Sequence, residues 1–298
     1  MTSERDLIGY GDTPPSIIWP NGARVAVSVV LNFEEGAERQ VGDGDATSER
    51  IGEVISVVPE GLRDQGQEQI FSYGTRAGIW RFLHAFEATQ TPATVYMCGR
   101  AVARAPALAK AIVSKGHEPA CHGWLWRPHA EYPDAEAERE DLLRAGAAIE
   151  AATGERARGF FCRGSESPWT RTLLAELGYA YTSNAFDDDL PYQDATGLTV
   201  LPYNLDCNDM KFFHPNGFAR AAEMVEYVTD ALDQLLEEAA RGRSSTLSIG
   251  FHLRITGRPA RFRAVTQILN HLASLEGQIW RARRIDIVQH YLTNRPKT

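Results

Sequence analysis

The stretch VAVSVVLNF, residues 25–33, is an apolar and largely β-branched run that ends abruptly at two adjacent acids, Glu34 and Glu35. Such a run predicts a buried β-strand, because β-branched side chains favour an extended backbone. Two carboxylates at the end of a buried strand are costly, since neighbouring like charges oppose each other's ionisation. Proteins keep such pairs where a cation or a proton transfer needs them, although a solvated loop can also begin with two acids.

Further short apolar runs alternate with longer amphipathic stretches. Strands are predicted at 93–97, 118–121, 159–162, 179–183, 198–203, 246–251 and 278–281. Helices are predicted at 75–86, 103–114, 134–153 with Gly154 as its stop, from Ser167-Pro168, and at 219–240 and 259–274. Seven or eight strands that alternate with helices indicate a parallel sheet with crossover helices. We therefore expect an α/β fold, a closed or nearly closed β/α barrel, as one domain over residues 1–298. Residues 1–22 form an irregular extension, and 35–73 an irregular excursion.

Composition narrows the classes of function. The 298 residues are 43% hydrophobic, carry a formal net charge of −8 and show no basic stripe, so we expect no nucleic-acid partner. No apolar run approaches the length of about 18 residues that a membrane span needs, so no membrane association is expected. The four cysteines form no C-x-x-C pair, and the first residues are polar. A cytoplasmic protein with reduced thiols is the prediction.

Polar side chains follow most of the predicted strands. They are Glu34 and Glu35, His122, Arg163, Asp188 and Asp189, Asn208 and Asp209, and finally His252 and Arg254. In a β/α barrel the carboxyl ends of all strands meet on one face, so we expect an active site there. His122 and His252 are the acid–base candidates because histidine titrates near neutrality, although each could be a satisfied core histidine. Trp124 and Trp126 could wall a flat pocket, and core packing explains them equally well.

The acid pair, His122-Gly123, Arg163 and the late His252 together resemble the polysaccharide deacetylase (NodB-like) superfamily. The resemblance implies a distorted (β/α)7 TIM-like barrel of the NodB homology type, and a hydrolase that removes N-acetyl groups with a divalent metal. Glutamates replace the family's usual aspartates, and Trp126 stands where the second histidine of His-x-x-x-His belongs. Catalytic zinc takes three protein ligands, so we expect no metal cofactor. Only Glu35 and His122 remain to hold zinc or another divalent ion weakly.

The departures themselves resemble one branch of that superfamily, the PuuE-type allantoinases and cyclic imide hydrolases. The similarity lies in RDLIGYG at 5–11, NFEEG at 32–36, YGTRAG at 73–78, DDDLPY at 187–192, NDM at 208–210, SIGFH at 248–252 and GRPAR at 257–261. It implies a small cyclic amide as substrate, a place in purine catabolism, catalysis without metal, and a homo-oligomer, with a tetramer as the first guess.

Ring opening of allantoin, a hydantoin or a cyclic imide needs an activated water, a proton for the leaving nitrogen and stabilisation of negative charge. Glu34 or Glu35 is the candidate base, its pKa raised by its neighbour. His252 or His122 is the candidate acid, and Arg163 or Arg254 would stabilise the oxyanion.

Substrate contacts and competing functions complete the predictions. Trp124 and Trp126 would stack on the ring, while Asp188, Asp189, Asn208 and Asp209 would bind its N–H groups or fix loops. One alternative is a metal-dependent N-deacetylase acting on an N-acetylated sugar. The other is a non-catalytic barrel that binds a small ligand or a partner protein.

Overall fold

The computed structural model describes residues 6–295. Residues 1–5 and 296–298 lie outside this range. Arg5 of the RDLIGYG motif and the first five residues of the predicted extension therefore lie outside the described residues. The run at 25–33 forms strand β1 (Val25–Phe33), and every one of its residues is buried. It pairs in parallel with three strands, which makes it the centre of the sheet.

The sheet is parallel over nearly all of its width. Its other strands are β2 (Ala93–Met97), β3 (Glu118–Cys121), β4 (Gly159–Phe160), β5 (Tyr181–Thr182), β6 (Tyr192–Gln193), β7 (Thr199–Val200), β8 (Ser245–His252) and β9 (Ile279–Arg281). Within residues 6–295 the order is β6-β7-β5-β4-β3-β2-β1-β8, with β9 beside β1, and only β6 and β7 pair antiparallel. The irregular segment after β7 reaches across to β8, where the Gly250 amide donates to the Cys207 carbonyl at 3.1 Å. The sheet is therefore curled into a barrel that irregular backbone closes, and the predicted fold class is confirmed.

Nine α-helices cover the sheet in the part of the chain described. They are α1 (Gln65–Tyr73), α2 (Ile79–Ala88), α3 (Gly99–Arg104), α4 (Pro106–Ser114), α5 (Ala135–Thr153), α6 (Thr170–Glu176), α7 (Ala221–Ala240), α8 (Pro259–Ser274) and α9 (Arg284–Asn294). None of these helices, which all lie between residues 6 and 295, combines the length and apolarity of a membrane span.

Alternate residues of β1 belong to different layers of the core. Val25, Val27, Val29, Leu31 and Phe33 pack in the cluster between the sheet and the helices. Ala26 and Val30 pack in the second cluster, with Tyr96, Tyr181 and Tyr203. Successive side chains of a strand point to opposite faces, so even-numbered residues of β1 point into the barrel. This parity decides below which of the two glutamates faces the site.

Several predicted boundaries were wrong for local reasons. The helix predicted at 75–86 begins ten positions earlier, at α1, whose polar sequence has little apolar periodicity to reveal it. The helix predicted at 103–114 is two helices, because Pro106 disfavours helical backbone at the residue before it and starts α4. The helix from 134 is confirmed as α5, with Gly154 in the left-handed conformation at φ 76°. Helix α9 and strand β6 were missed.

A π-helical turn, Gly74–Gly78, joins α1 to α2 and brings this helical stretch against the carboxyl ends of the strands. A Cβ atom added at Gly74 would lie 2.6 Å from Glu35 Oε1, and one added at Gly78 would lie 2.1 Å from the carbonyl oxygen of Leu253. Only glycine permits an approach this close, which explains the two glycines of the YGTRAG motif.

Replacing Gly78 by alanine should destabilise the protein by about 1–3 kcal/mol, the usual cost of overpacking. The matched control is Gly146→Ala in α5, where the new Cβ would meet only the Tyr179 hydroxyl at 3.6 Å. There alanine should be neutral or stabilise by up to about 1 kcal/mol, because it is the better helix former. Urea denaturation of both variants checks this, and equal effects would contradict the close approach.

Candidate active site

Three strand ends bring a carboxylate and two imidazoles together on the barrel floor. Glu34 follows β1, His122 follows β3, and His252 ends β8. Glu34 Oε1 lies 3.1 Å from His122 Nε2 and 3.2 Å from His252 Nε2. Glu34 Oε2 accepts a hydrogen bond of 2.7 Å from Arg254 Nη1. All four side chains are buried, so one carboxylate is shared by two imidazoles and a guanidinium.

The surroundings of Glu34 keep it ionised. Burial by itself raises the pKa of a carboxyl group, but the charges of His252 and Arg254 outweigh it and hold the pKa of Glu34 well below its usual value. The Arg254 guanidinium also lies 4.3 Å from the ring centre of Phe71 and 4.7 Å from that of Trp126, so its charge is held by aromatic faces as well as by the carboxylate.

His252 is held as a proton donor. Its Nδ1 donates to Asp209 Oδ1 at 2.6 Å, and Asp209 Oδ2 accepts from the His252 amide and from the Thr256 hydroxyl. Burial opposes the charged imidazole, but the carboxylates of Glu34 and Asp209 outweigh this effect and raise the pKa of His252 to about 9. His252 is therefore protonated at neutral pH, and its Nε2 lies 3.2 Å from Glu34 Oε1.

His122 is oriented by backbone. Its Nδ1 donates to the Phe161 carbonyl oxygen, which can only accept, so Nδ1 carries a proton. The imidazole also stacks on the Phe161 ring, with centroids 5.4 Å apart and planes inclined by 7°. Nε2 is left to face Glu34.

Glu35 lies on the other side of β1, as the strand parity requires. Its oxygens accept from the backbone amides of Glu34 and Arg254, both at 3.1 Å. Burial, opposed by Arg254 but helped by the charge of Glu34, raises the pKa of Glu35 to about 7. The raised pKa thus belongs to Glu35 and not to Glu34. His122 contacts Glu34 rather than Glu35, so the structure does not form the predicted metal pair.

Above this floor opens a cavity of about 650 Å³. It is lined by Glu34, Ile51, His122, Trp126, Phe161, Arg163, Gly164, Leu205, Asp206, Asn208, Met210, Lys211, Phe213, His214, Asn216 and His252. Glu34 is the carboxylate at its floor, and Glu35 is absent from the lining among the residues that the structure describes. The size is that of a small-molecule site.

Only one of the two predicted tryptophans lines the cavity. Trp126 is 4% exposed, its amide donates to the Ala37 carbonyl at 2.9 Å, and the Arg163 guanidinium lies 3.8 Å from its ring centre. Trp124 instead packs against Gly99 and lies under the guanidinium of Arg144, away from the site. The expected stacking of both indoles on a substrate ring therefore has no geometric basis for Trp124.

Asp188 and Asp189 do not reach the cavity either. The Asp189 carbonyl accepts from the Thr246 amide at the start of β8, whereas His252 ends that strand. At about 3.3 Å per residue this places Asp189 roughly 20 Å from the His252 end of β8. The chain after β5 turns back along the barrel instead of rising over the site. Asn208 does line the cavity, but its Oδ1 accepts from the Met210 amide and its Nδ2 donates to the Tyr203 hydroxyl, so it also fixes its loop.

Residues that the sequence did not single out complete the site. Phe161 follows β4 and orients His122, and Met210 and Phe213 supply apolar wall. The site was predicted from polar residues that follow strands, and this pattern cannot identify apolar residues that line a cavity. Glu49, which binds Arg163, comes from the irregular excursion, where no periodicity could place it.

Comparisons with known proteins agree with this geometry. Residues 67–182 match the family model described as polysaccharide deacetylase. The chain is 33% identical to a putative polysaccharide deacetylase of Schizosaccharomyces pombe, over 99% of both chains. The crystal structure of PuuE allantoinase is 40% identical, with a TM-score of 0.93 and complete coverage of both chains. That of a probable polysaccharide deacetylase from Pseudomonas aeruginosa PAO1 is also 40% identical with a TM-score of 0.93, covering 99% of this chain and 100% of that one.

A curled parallel barrel with a carboxylate–imidazole cluster at its strand ends is the architecture of a deacetylase-type hydrolase. The chain belongs to the polysaccharide deacetylase family.

The divalent metal that this family implies does not fit the residues present. In residues 6–295 no group of three or more His, Cys, Asp and Glu side chains is disposed to hold a metal ion. Trp126 occupies the position of the second histidine ligand, and the Arg254 guanidinium already occupies Glu34 Oε2. A fixed cation at the carboxylate opposes a second, mobile one.

Glu35 should make a pH-dependent contribution to stability. Because its folded pKa of about 7 lies above the unfolded value of 4.5, the wild-type protein loses stability as pH rises between these values. Glu35→Gln removes this loss, so the variant should gain roughly 3 kcal/mol relative to the wild type across that window. Urea denaturation at several pH values measures the difference.

Glu34→Gln is the matched control for that experiment. The folded pKa of Glu34 lies below the unfolded value, so its stabilising ionisation is complete above pH 4.5 and is lost only at lower pH. The charge of Glu34 is, however, only one of the causes that raise the pKa of Glu35, so Glu34→Gln should remove part of the pH-dependent loss and Glu35→Gln all of it. A Glu35→Gln difference that does not change between pH 4.5 and 7 would contradict the assignment.

Proposed function

We propose that the chain is a hydrolase that opens a cyclic amide ring, such as a hydantoin, allantoin or a cyclic imide, without a metal. The observation that carries this proposal is the 3.2 Å contact between Glu34 Oε1 and His252 Nε2 on the floor of the cavity, where the surroundings favour an ionised carboxylate and a protonated imidazole. A base and an acid in contact are what amide hydrolysis requires. The full-length similarity to PuuE allantoinase supports the choice of a cyclic amide.

In the proposed reaction, Glu34 takes a proton from a water molecule while the oxygen of that water attacks the carbonyl carbon of the ring. The tetrahedral intermediate collapses with loss of the carbon–nitrogen bond, and His252 gives its Nε2 proton to the departing nitrogen. As His252 loses its charge, the pKa of Glu34 rises, because that charge is one of the two that hold it down. Glu34 Oε1 lies 3.2 Å from His252 Nε2, so the proton taken from water can pass back and restore the site.

The remaining residues orient this pair. His122 Nε2 lies 3.1 Å from the same Glu34 oxygen, and the charges of His252 and Arg254 beside Glu34 favour development of negative charge nearby. Asp209 acts through His252 and is a positioning residue. Glu35 anchors the backbone of Glu34 and Arg254 and has no proposed contact with substrate.

The walls favour a flat ring of modest polarity. Phe161, Leu205, Met210 and Phe213 line much of the cavity. Such apolar surface gains from burying a planar heterocycle, while a few polar groups set its orientation. We also propose a cytoplasmic location, as the composition suggests, and a homo-oligomeric assembly, as the family resemblance implies.

A panel of candidate substrates tests the function directly. The purified protein should release protons with allantoin, hydantoin or succinimide, because ring opening produces a carboxylic acid that ionises at pH 7. An N-acetylated oligosaccharide should give no acetate. Activity should survive dialysis against a chelator. Acetate release that needs added zinc would establish the deacetylase instead, and saturable heat without turnover for every compound would establish a binding protein.

The two glutamates provide the matched variants for this assay. Glu34→Gln should lower turnover by about 10²–10⁴, the usual contribution of a general base. Glu35→Gln changes an equally buried neighbour outside the cavity lining and should cost less than about tenfold, or about 1.4 kcal/mol of barrier. Equal losses in the two variants would contradict the assignment of Glu34.

The rate should also fall as pH rises through about 9, because the active form of His252 is the protonated one. Asp209→Asn removes one of the two carboxylates that raise this pKa, so the alkaline limb of kcat should move to lower pH. A purely structural role for Asp209 would lower the rate at all pH values without moving the limb. Folding of the variant is checked by circular dichroism.

A further inference from the structure

Arg163 is held at the mouth of the cavity by two different contacts. Its guanidinium lies 3.8 Å from the ring centre of Trp126. Its Nη1 donates to Glu49 Oε2 at 2.5 Å, and its Nη2 to Glu49 Oε1 at 3.4 Å. Stacking and an end-on carboxylate together fix the plane and the direction of the group.

This arrangement changes what a ligand can contact. Trp126 is almost completely buried, and Arg163 covers its ring, so the indole face is not the surface offered to the cavity. The surface offered is the guanidinium of Arg163, which lines the cavity and is 25% exposed. A planar ligand that was expected to stack on tryptophan therefore meets a planar cation.

Arg163 has N–H donors that are free to bind a ligand, but its positive charge is largely compensated by Glu49. A guanidinium carries five N–H donors, and within residues 6–295 Glu49 is the only acceptor that Arg163 contacts. The carboxylate of Glu49 is only 9% exposed, so the opposing charge is close and poorly screened. A neutral carbonyl oxygen suits such a group better than a second carboxylate does.

We propose that Arg163, neutralised by Glu49, is a specificity residue that binds a second carbonyl oxygen of an uncharged ring. This inference rests on the proposed ring-opening function and narrows its substrate class. The preferred ligand has one carbonyl at the Glu34–His252 pair and another at Arg163, as hydantoins and cyclic imides do. Rings that carry a carboxylate are disfavoured, because Glu49 already compensates the cation.

The charge part of the proposal is tested with Glu49→Gln. Affinities of hydantoin and of hydantoin-5-acetate are measured by calorimetry in the slow Glu34→Gln background, with and without Glu49→Gln, so that neither ring is opened during the titration. Removing the Glu49 charge should improve binding of the anionic ring relative to the neutral one by about fivefold, as expected for a partly buried ion pair. An unchanged ratio would overturn the proposal.

Glu53→Gln is the matched control. Glu53 pairs with Arg261 in the same end-on manner, at 2.5 and 2.9 Å, and Arg261 is also 25% exposed, but this pair does not line the described cavity. Its loss should leave the ratio of the two affinities unchanged. An equal shift in both variants would show a general effect of net charge and would overturn the assignment to Arg163.

The donor part is tested with Arg163→Lys, which keeps the charge but loses the planar fork. Its KM for hydantoin should rise by about three- to tenfold with kcat little changed, since one hydrogen bond to a bound carbonyl is lost. A KM within twofold of the wild type would contradict the proposal. If this variant does not fold, Glu49→Gln decides.

Failure of the ring-opening function is distinguishable from failure of this inference. A wild-type protein that opens none of the rings contradicts the proposed function, whereas the calorimetric ratio still reports on Arg163. A wild type that opens the rings, with both variants unchanged, contradicts only the role of Arg163.

Discussion

The carboxylate of Glu34 is almost completely buried at the floor of the cavity, and the charges of His252 and Arg254 keep it ionised there. Two imidazoles and one guanidinium contact its two oxygens within 3.2 Å. Such a cluster stands only if each cation is itself held, since an unpaired buried charge is expensive. Of the two cations, His252 is held by Asp209 and Arg254 lies against the rings of Phe71 and Trp126, while the Phe161 carbonyl orients the ring of His122.

The rest of the barrel serves this arrangement through strand parity and close packing. Even-numbered residues of β1 point into the barrel, so Glu34 faces the cavity while Glu35 faces the π-helical turn at Gly74. The guanidinium of Arg254 takes the place beside the carboxylate that a metal ion would need. One glutamate is thereby a charged group of the site and its neighbour a buried anchor of the backbone.

The sequence predicted the barrel and the carboxyl-end location of Glu34, His122 and His252, because strand ends and hydrophobic runs are local signals. The sequence also contains a pattern that distinguishes the two glutamates. Ser28 and Asn32 are the polar residues of β1, and Glu34 lies an even number of positions from both, so it is expected on the same face of the strand. The positions of Asp188 and Asp189 could not be predicted, because they depend on the path of an irregular segment. The contact of Glu49 with Arg163 spans more than a hundred residues and no local pattern encodes it.

The central claim is that Glu34 and His252 form an ion pair on the floor of the cavity. Nuclear magnetic resonance of ¹⁵N-labelled imidazole, with His252 assigned through a His252→Ala variant, measures this protonation directly. A His252 ring that stays doubly protonated through neutral pH and titrates near 9, and that titrates lower in Glu34→Gln, is the predicted result. A neutral His252 ring at pH 7, or a His252 pKa that is the same in Glu34→Gln as in the wild type, would contradict the account.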